Sequence, residues 1–199
     1  MRPIVFIVRG YRGTKVVHHL LVSALEDAGH EVHVLGYASA KHDLDTLVRT
    51  VFSQIMTILN GNTVRPIALI GHSLGGVITH QIVTGGSIPN PIRCTVLIAA
   101  PLHGSSLARL AQWTSITQWF GGPVLTDLAS LCTPTPIPLP NVHTLSSGWF
   151  GLGIDGRVSK HNTTLVGASH RHFPWSDHSL MMLDRRVINH LVLICTNKL

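Results

Sequence analysis

The stretch Ile67-Ala68-Leu69-Ile70-Gly71-His72-Ser73-Leu74-Gly75-Gly76 decides the fold prediction. Its first four residues are apolar and predict a buried strand, and helical spacing of apolar residues over 74–83 predicts a helix. Between them, residues 71–75 match the pattern G-x-S-x-G with a strand before it and a helix after it. A turn this sharp strains the backbone of Ser73 and leaves no room for side chains at Gly71 and Gly75. It also lifts the Ser73 hydroxyl clear of the sheet, at a helix N-terminus that favours negative charge.

On both sides of this turn, short apolar runs alternate with helical patterns. The predicted strands are residues 4–8, 31–35, 67–70, 95–99, 142–145 and a shorter one at 163–166. The predicted helices are residues 17–28, 44–58, 74–83 and 180–194. This alternation predicts a mostly parallel central sheet with helices on both faces. Residues 103–140 break the rhythm with Gly121-Gly122-Pro123 and four further prolines, and we predict a short excursion over the top edge of the sheet.

Composition excludes several classes of protein. The chain has 199 residues, 45% hydrophobic and 12% charged, which predicts one domain with a sizeable core rather than a disordered protein. The net charge is +6, but the cations are dispersed, so we predict solvated surface charge and no nucleic-acid partner. Three cysteines without a CxxC pair favour a reducing compartment. With no signal peptide or membrane-spanning run, the sequence predicts a cytoplasmic location.

From the central motif outward, the sequence resembles the α/β-hydrolase superfamily, and more narrowly its small lipase and esterase-like acylhydrolases that carry GHSLGG. Four other segments follow in the order of that superfamily. They are residues 8–13 (an H-G-x-x-G loop apart from Arg9), 100–105 (P-x-x-G-S), 155–159 (D-G-x-V-S) and 177–181, around the expected histidine. The resemblance implies an α/β-hydrolase fold in a single domain, residues 1–199, with 103–140 as a lid or cap.

A serine hydroxyl is a weak nucleophile, so Ser73 needs a histidine as its base. The resemblance implies the chain order serine, acid, histidine. His178 has the expected place, in a polar loop directly before the terminal helix, and His172 and His170 remain as alternatives. Of the histidines before Ser73, His18 and His19 are expected on a helix surface. His72 is expected to point away from the serine.

The acid must be an aspartate, because no glutamate follows Ser73. Four aspartates do follow it, namely Asp127, Asp155, Asp177 and Asp184. Asp155 follows a predicted strand through a glycine-rich loop, far enough before His178 for one short element and a return strand. Asp177 is adjacent to His178 and badly placed to reach its ring, Asp127 lies in the excursion, and Asp184 lies on a helix. The prediction is therefore Asp155, although an Asp-Gly pair is also common in turns.

The oxyanion of a tetrahedral intermediate needs preorganised donors. The predicted donors are the backbone N–H groups of Leu74, at the start of the helix, and of Tyr11, in the loop after the first strand. Arg9 stands where the superfamily usually has histidine. That difference raises the question of how the loop is braced, and whether Arg9 or Arg12 meets an anionic substrate.

The sequence predicts a serine hydrolase that cleaves carboxylic esters of small molecules or lipids. Trp113, Trp119 and Phe120 are predicted to line the acyl side of its site. A thioesterase or amidase on the same residues is the alternative enzyme. The non-enzyme alternative is a hydrolase-like binding protein that contacts membrane surfaces. His170-x-His172 resembles a pair of metal ligands but lacks a suitable third partner, so no metal and no cofactor are predicted.

Overall fold

A six-stranded sheet organises the chain. The computed structural model describes residues 1–14, 16–104, 122–131, 134–148, 158 and 160–196. The strands are β1 Ile4–Val8, β2 Glu31–Leu35, β3 Ile67–His72, β4 Ile92–Ile98, β5 Val142–Gly148 and β6 Ser169–Pro174. The helices are α1 His19–Asp27, α2 Leu44–Leu59, α3 Leu74–Thr84, α4 Pro123–Ser130 and α5 Arg185–Thr196. The strand order is β2-β1-β3-β4-β5-β6, and every neighbouring pair is parallel.

Two apolar layers cover the two faces of the sheet. Side chains alternate along β1, so Phe6 and Val8 face one layer while Val5 and Ile7 face the other. The first layer is built with α2, α3 and α4, and the second with α1 and α5. Because both faces are buried, β1 and the first four residues of β3 are continuously apolar rather than alternating. This is why the sequence predicts them well.

The predicted strand at residues 163–166 is wrong. That region forms a 3-10 turn, His161–Thr163, and the strand follows later as β6. β6 is an edge strand whose residues alternate between exposed and half-buried until Phe173, so it lacks the apolar run that marks the central strands. Three other strands are longer in the structure than predicted. β3 extends to His72, β5 extends to Gly148, and β4 begins at Ile92.

Two helical segments also differ from their predictions. The predicted terminal helix is divided into a 3-10 turn, Leu180–Met182, and α5. Asp184 lies at the division, where its carboxylate accepts the N–H of Arg186 at 2.9 Å. In the excursion, α4 begins at Pro123 directly after Gly122, whose φ is 69°. Proline suits the first position of a helix because its missing N–H would have no intrahelical acceptor. Among the described helices, none is long and apolar enough to cross a membrane.

We expect the fold to lose stability in mild acid through His190. This residue of α5 is 8% exposed, and its Nδ1 lies 3.1 Å from an Arg171 guanidinium nitrogen. Burial, and next the charge of Arg171, lower the pKa of His190 to about 4. The unfolded chain therefore binds a proton that the folded chain rejects, so stability is complete above about pH 6.5 and falls as the pH drops towards the folded value.

The measurement is the melting temperature of wild type and of His190→Gln between neutral pH and about pH 4.5, where the unfolded histidine is protonated. The acid-induced fall should be smaller in the variant. The exposed His19, changed to Gln, is the matched control and should keep the wild-type slope. Equal slopes for all three proteins would contradict the assignment.

Candidate active site

The turn between β3 and α3 holds Ser73 in a strained conformation. Its φ is 55° and its ψ is −122°, a region that residues with a side chain rarely adopt. The Ser73 N–H donates to the Ile98 carbonyl of β4 at 2.8 Å. A Cβ at Gly71 would lie 2.5 Å from the Gly75 carbonyl oxygen, and one at Gly75 would collide with the carbonyl groups after β1. Both glycines of the motif are therefore required by close packing of backbone.

The structure brings together Ser73 and His178, the two side chains that the sequence predicted as nucleophile and base. Oγ of Ser73 lies 2.9 Å from Nε2 of His178, although 105 residues separate them in the chain. Both side chains come from segments that follow carboxyl ends of parallel strands, β3 and β6, and such ends meet at one edge of a sheet. His178 is 3% exposed, so its ring is held among neighbours rather than free in solvent.

The expectations for His72 and His18 are wrong. Nε2 of His72 donates to the carbonyl oxygen of His178 at 2.9 Å, and the two rings lie 5.3 Å apart, so His72 supports the loop that carries His178. His18 is 1% exposed and lies on the side of α1 that also buries Leu21 and Leu25. Burial lowers its pKa. The spacing of residues 18, 21 and 25 was a helical signal that could have identified His18 as buried.

Backbone of the loop after β1 passes directly beside the serine. A Cβ added to Gly10 would lie 3.2 Å from Cβ of Ser73 and 3.1 Å from Nδ1 of His72. Tyr11 follows in the chain and lines the same cavity as Ser73. Leu74 occupies the first position of α3, where the helix provides no acceptor for its N–H. Tyr11 and Leu74 thus both lie near Ser73, and their role as oxyanion donors stays a prediction.

Arg9 braces this loop against β2. Its Nε donates to the Leu35 carbonyl at 3.2 Å and an Nη donates to the Gly13 carbonyl at 2.7 Å. The guanidinium lies over Gly36, where a Cβ would come within 2.7 Å of Cζ. The Tyr37 hydroxyl donates to the Arg9 carbonyl at 2.5 Å. These contacts hold the loop in place although it has no histidine at position 9. They also engage the Arg9 side chain in hydrogen bonds within the protein.

We expect Arg9→Ala to lower the free energy of unfolding by about 2 kcal/mol, because two carbonyl groups lose a charged donor. Denaturant titration measures the change. Arg12→Ala is the matched control, since the exposed Arg12 side chain makes no hydrogen bond or ion pair with any residue that the structure describes, and its effect should stay within about 0.5 kcal/mol. An equal effect of both substitutions would contradict the brace.

Several predicted site residues lie outside the described part of the chain. They are Asp155, Trp113, Trp119 and Phe120. The three other aspartates after Ser73 are described, and each has a different partner. Asp127 accepts the N–H of Leu44 at 2.8 Å, Asp177 accepts the N–H of Ser179 at 2.8 Å, and Asp184 pairs with Arg186.

The two alternative bases lie on β6 and contact β5 instead of the serine. His170 and His172 lie 3.1 Å and 2.9 Å from the Ser146 hydroxyl, and Thr144 contacts the other nitrogen of His170. In the described ranges, no three histidine, cysteine, aspartate or glutamate side chains are grouped so that they could hold a metal ion.

A cavity of about 260 Å³ opens beside Ser73. Its walls come from the loop after β1, the 3-10 turn Val16–His18 before α1, the turn at Ser73 and the loop of His178. A nucleophile in contact with a histidine, next to the N-terminus of a helix and an open cavity, is an arrangement that can perform acyl transfer.

Several solved structures of other proteins have an architecture similar to that of this chain. No protein-family model and no curated protein matches the sequence. Solved structures do match. The mature lipase BlEst2 of Bacillus licheniformis is 18% identical with a TM-score of 0.77, and the match covers 96% of this chain and 92% of the lipase. For phospholipase PlaB of Legionella pneumophila, the values are 14% and 0.75, with 96% of this chain and 59% of PlaB covered.

A carboxylesterase structure from the thaumarchaeon Nitrososphaera gargenis is 11% identical with a TM-score of 0.66, and the match covers 100% of this chain and 92% of that one. With its parallel sheet and these similarities, the chain has the α/β-hydrolase fold. At such low identities the likeness concerns the fold. Function has to be argued from the site.

Proposed function

We propose that this chain is a serine hydrolase that cleaves carboxylic esters, of the lipase and esterase-like kind with GHSLGG. The observation that carries the proposal is the 2.9 Å contact between Ser73 Oγ and His178 Nε2 on a strained turn. Strain of this kind persists only where the surrounding structure enforces it, and it clusters at active sites. The similar structures of a lipase, a phospholipase and a carboxylesterase support the same reaction class.

The reaction would proceed in two halves. Nε2 of His178 takes the proton as Ser73 Oγ attacks the ester carbonyl carbon, and the carbonyl oxygen becomes an oxyanion that accepts from the N–H groups of Leu74 and Tyr11. Collapse breaks the bond to the alcohol, which leaves with the proton from His178. Water then attacks the acyl-serine, again giving its proton to His178. The acid is released and Ser73 regains its proton.

Asp155 is the proposed partner of the other ring nitrogen of His178. Two observations support it: the described contacts of Asp127, Asp177 and Asp184 lead elsewhere, and residue 155 follows β5, the neighbour of the strand that precedes His178. We expect Asp155→Asn to lower kcat about 10⁴-fold, the effect of the same change in a well-studied serine protease. Asp177→Asn is the control and should retain most activity. The reverse result would move the acid to Asp177.

The excursion, residues 103–140, is proposed as a lid or cap that belongs to a single domain, with Trp113, Trp119 and Phe120 on the acyl side. Its support is position, because it leaves the sheet directly after β4, beside the strand that ends at Ser73. Ligands of parallel α/β sheets bind beyond the carboxyl ends of the strands.

Hydrolysis of matched para-nitrophenyl ester, thioester and anilide substrates with one acyl group tests the proposed reaction. We expect the ester to give the highest kcat/KM. Preference for the thioester or the anilide would indicate the alternative enzymes. No turnover, with no labelling of Ser73 by a fluorophosphonate, would leave a non-catalytic binding protein and overturn the proposal.

A further inference from the structure

Arg12 is the charged side chain at the wall of the cavity beside Ser73. The residues that line this cavity include Arg12, Thr14, His18 and Ser179, and none of the described lining residues is a carboxylate. An anion in the cavity would therefore meet a cation, and none of the described lining residues would repel it with a carboxylate. The chain as a whole also carries a net charge of +6.

Arg12 has an unusual backbone conformation for its type. Residues 10–13 form a β-turn in which the N–H of Gly13 donates to the Gly10 carbonyl at 3.0 Å, and Arg12, its third residue, has a φ of 50°. This position ordinarily takes glycine or asparagine, since other side chains are strained there. The Arg12 N–H donates to Ser39 Oγ at 2.9 Å, which anchors the turn. The main chain gains nothing from an arginine here, so the reason for one lies in its side chain.

Among the described residues, the guanidinium of Arg12 has no hydrogen-bond or ion-pair partner, unlike the side chains of several other arginines. Arg9 binds two carbonyl groups, Arg65 pairs with Glu31, and Arg186 pairs with Asp184. Arg12 is exposed, and among described residues its only hydrogen bond is the one its backbone makes to Ser39. Its five donors are thus available to a molecule that enters the cavity.

We propose that the natural ester carries an anionic group, a carboxylate or a phosphate, which Arg12 binds while the ester carbonyl lies at Ser73. This inference rests on the proposed function and names its substrate class. Arginine suits the role because its planar fork matches both oxyanions in a bidentate manner. Since the guanidinium is exposed, the contribution should weaken as the salt concentration rises.

The test compares pairs of esters in which one member carries an additional anionic group. One pair is para-nitrophenyl butyrate and the mono-para-nitrophenyl ester of glutaric acid, with the anion on the acyl side. The other pair is monobutyryl glycerol and its glycerol phosphate, with the anion on the alcohol side. The readout is the ratio of kcat/KM for the anionic over the neutral ester, in wild type, Arg12→Gln, Arg12→Lys and the remote control Arg49→Gln, which lies on α2.

We expect a ratio above one in at least one pair, a loss of about tenfold in Arg12→Gln, and partial retention in Arg12→Lys. Arg49→Gln should keep the wild-type ratio. The pair that responds identifies the anion as a carboxylate or a phosphate. Ratios unaffected by Arg12→Gln in both pairs would overturn the inference while ester hydrolysis, and with it the proposed function, stands.

A binding measurement on a protein that lacks the nucleophile tests the anion site at Arg12 separately from ester hydrolysis at Ser73. The Ser73→Ala protein is titrated with each ester by calorimetry, with and without Arg12→Gln. Weaker binding of the anionic ester alone in the double variant supports the anion site even if the chain hydrolyses none of these esters. Equal affinities overturn it.

Discussion

Ser73→Ala should lower the kcat of ester hydrolysis on the order of 10⁶-fold, the loss measured on removing the nucleophile of a serine protease. The Ser73 hydroxyl is the atom that becomes acylated, and the alanine side chain has no group that can replace it. Hydrolysis of para-nitrophenyl butyrate and labelling by a fluorophosphonate measure the loss. A variant that keeps a tenth of wild-type activity, or a label on another residue, would contradict the assignment.

Ser73→Gly is the matched control for the fold. It removes the same hydroxyl but accepts a φ of 55° without the strain that a Cβ causes. We expect it to be as inactive as Ser73→Ala and to unfold with a free energy about 1 kcal/mol higher than that variant, the lower end of the cost of such strain. If Ser73→Ala were as stable as Ser73→Gly, the strained turn would be contradicted.

His178→Ala should lower kcat by the same order, about 10⁶-fold, because removing the nucleophile or its base disables the same step. Without His178, no group takes the Ser73 proton at the 2.9 Å contact. The fluorophosphonate should label the variant far more slowly, which is a readout independent of substrate binding.

His172→Ala is the matched control. It also removes a histidine near the carboxyl end of β6, but its ring contacts Ser146. We expect near-normal activity from it. A severe loss in His172→Ala together with a mild one in His178→Ala would move the base to His172.

The strands and helices that the sequence predicts correctly are those whose conformation depends on residues close together in the chain. The apolar runs of β1 and β3 predict strands wherever they lie, because a parallel strand buried on both faces tolerates few polar residues. Asp43 caps α2, where it accepts the N–H of Thr46 at 2.8 Å, and this contact joins residues three apart in the chain. β6 and its exposed edge escaped prediction because its polar side chains show no apolar pattern, and its place depends on pairing with β5.

The residues of the candidate site also fall into two groups, those that local sequence rules predict and those that they do not. The turn at Ser73 was evident from sequence because strand, glycines and helix are neighbours in the chain, and their close packing is a local steric requirement. The sequence could nominate His178 only through a resemblance, since no local rule connects residues 105 positions apart.

Tertiary structure alone decided the roles of Arg9 and His72. Each is determined by a partner brought near by sheet pairing: Arg9 by the Leu35 carbonyl of β2, and His72 by the carbonyl of His178. A polar side chain is buried only where the fold supplies an acceptor or donor, because an unpaired polar group in the interior is costly. The sequence therefore determined the strained serine and the layers around it, whereas the fold determined which of the fourteen histidines contacts that serine.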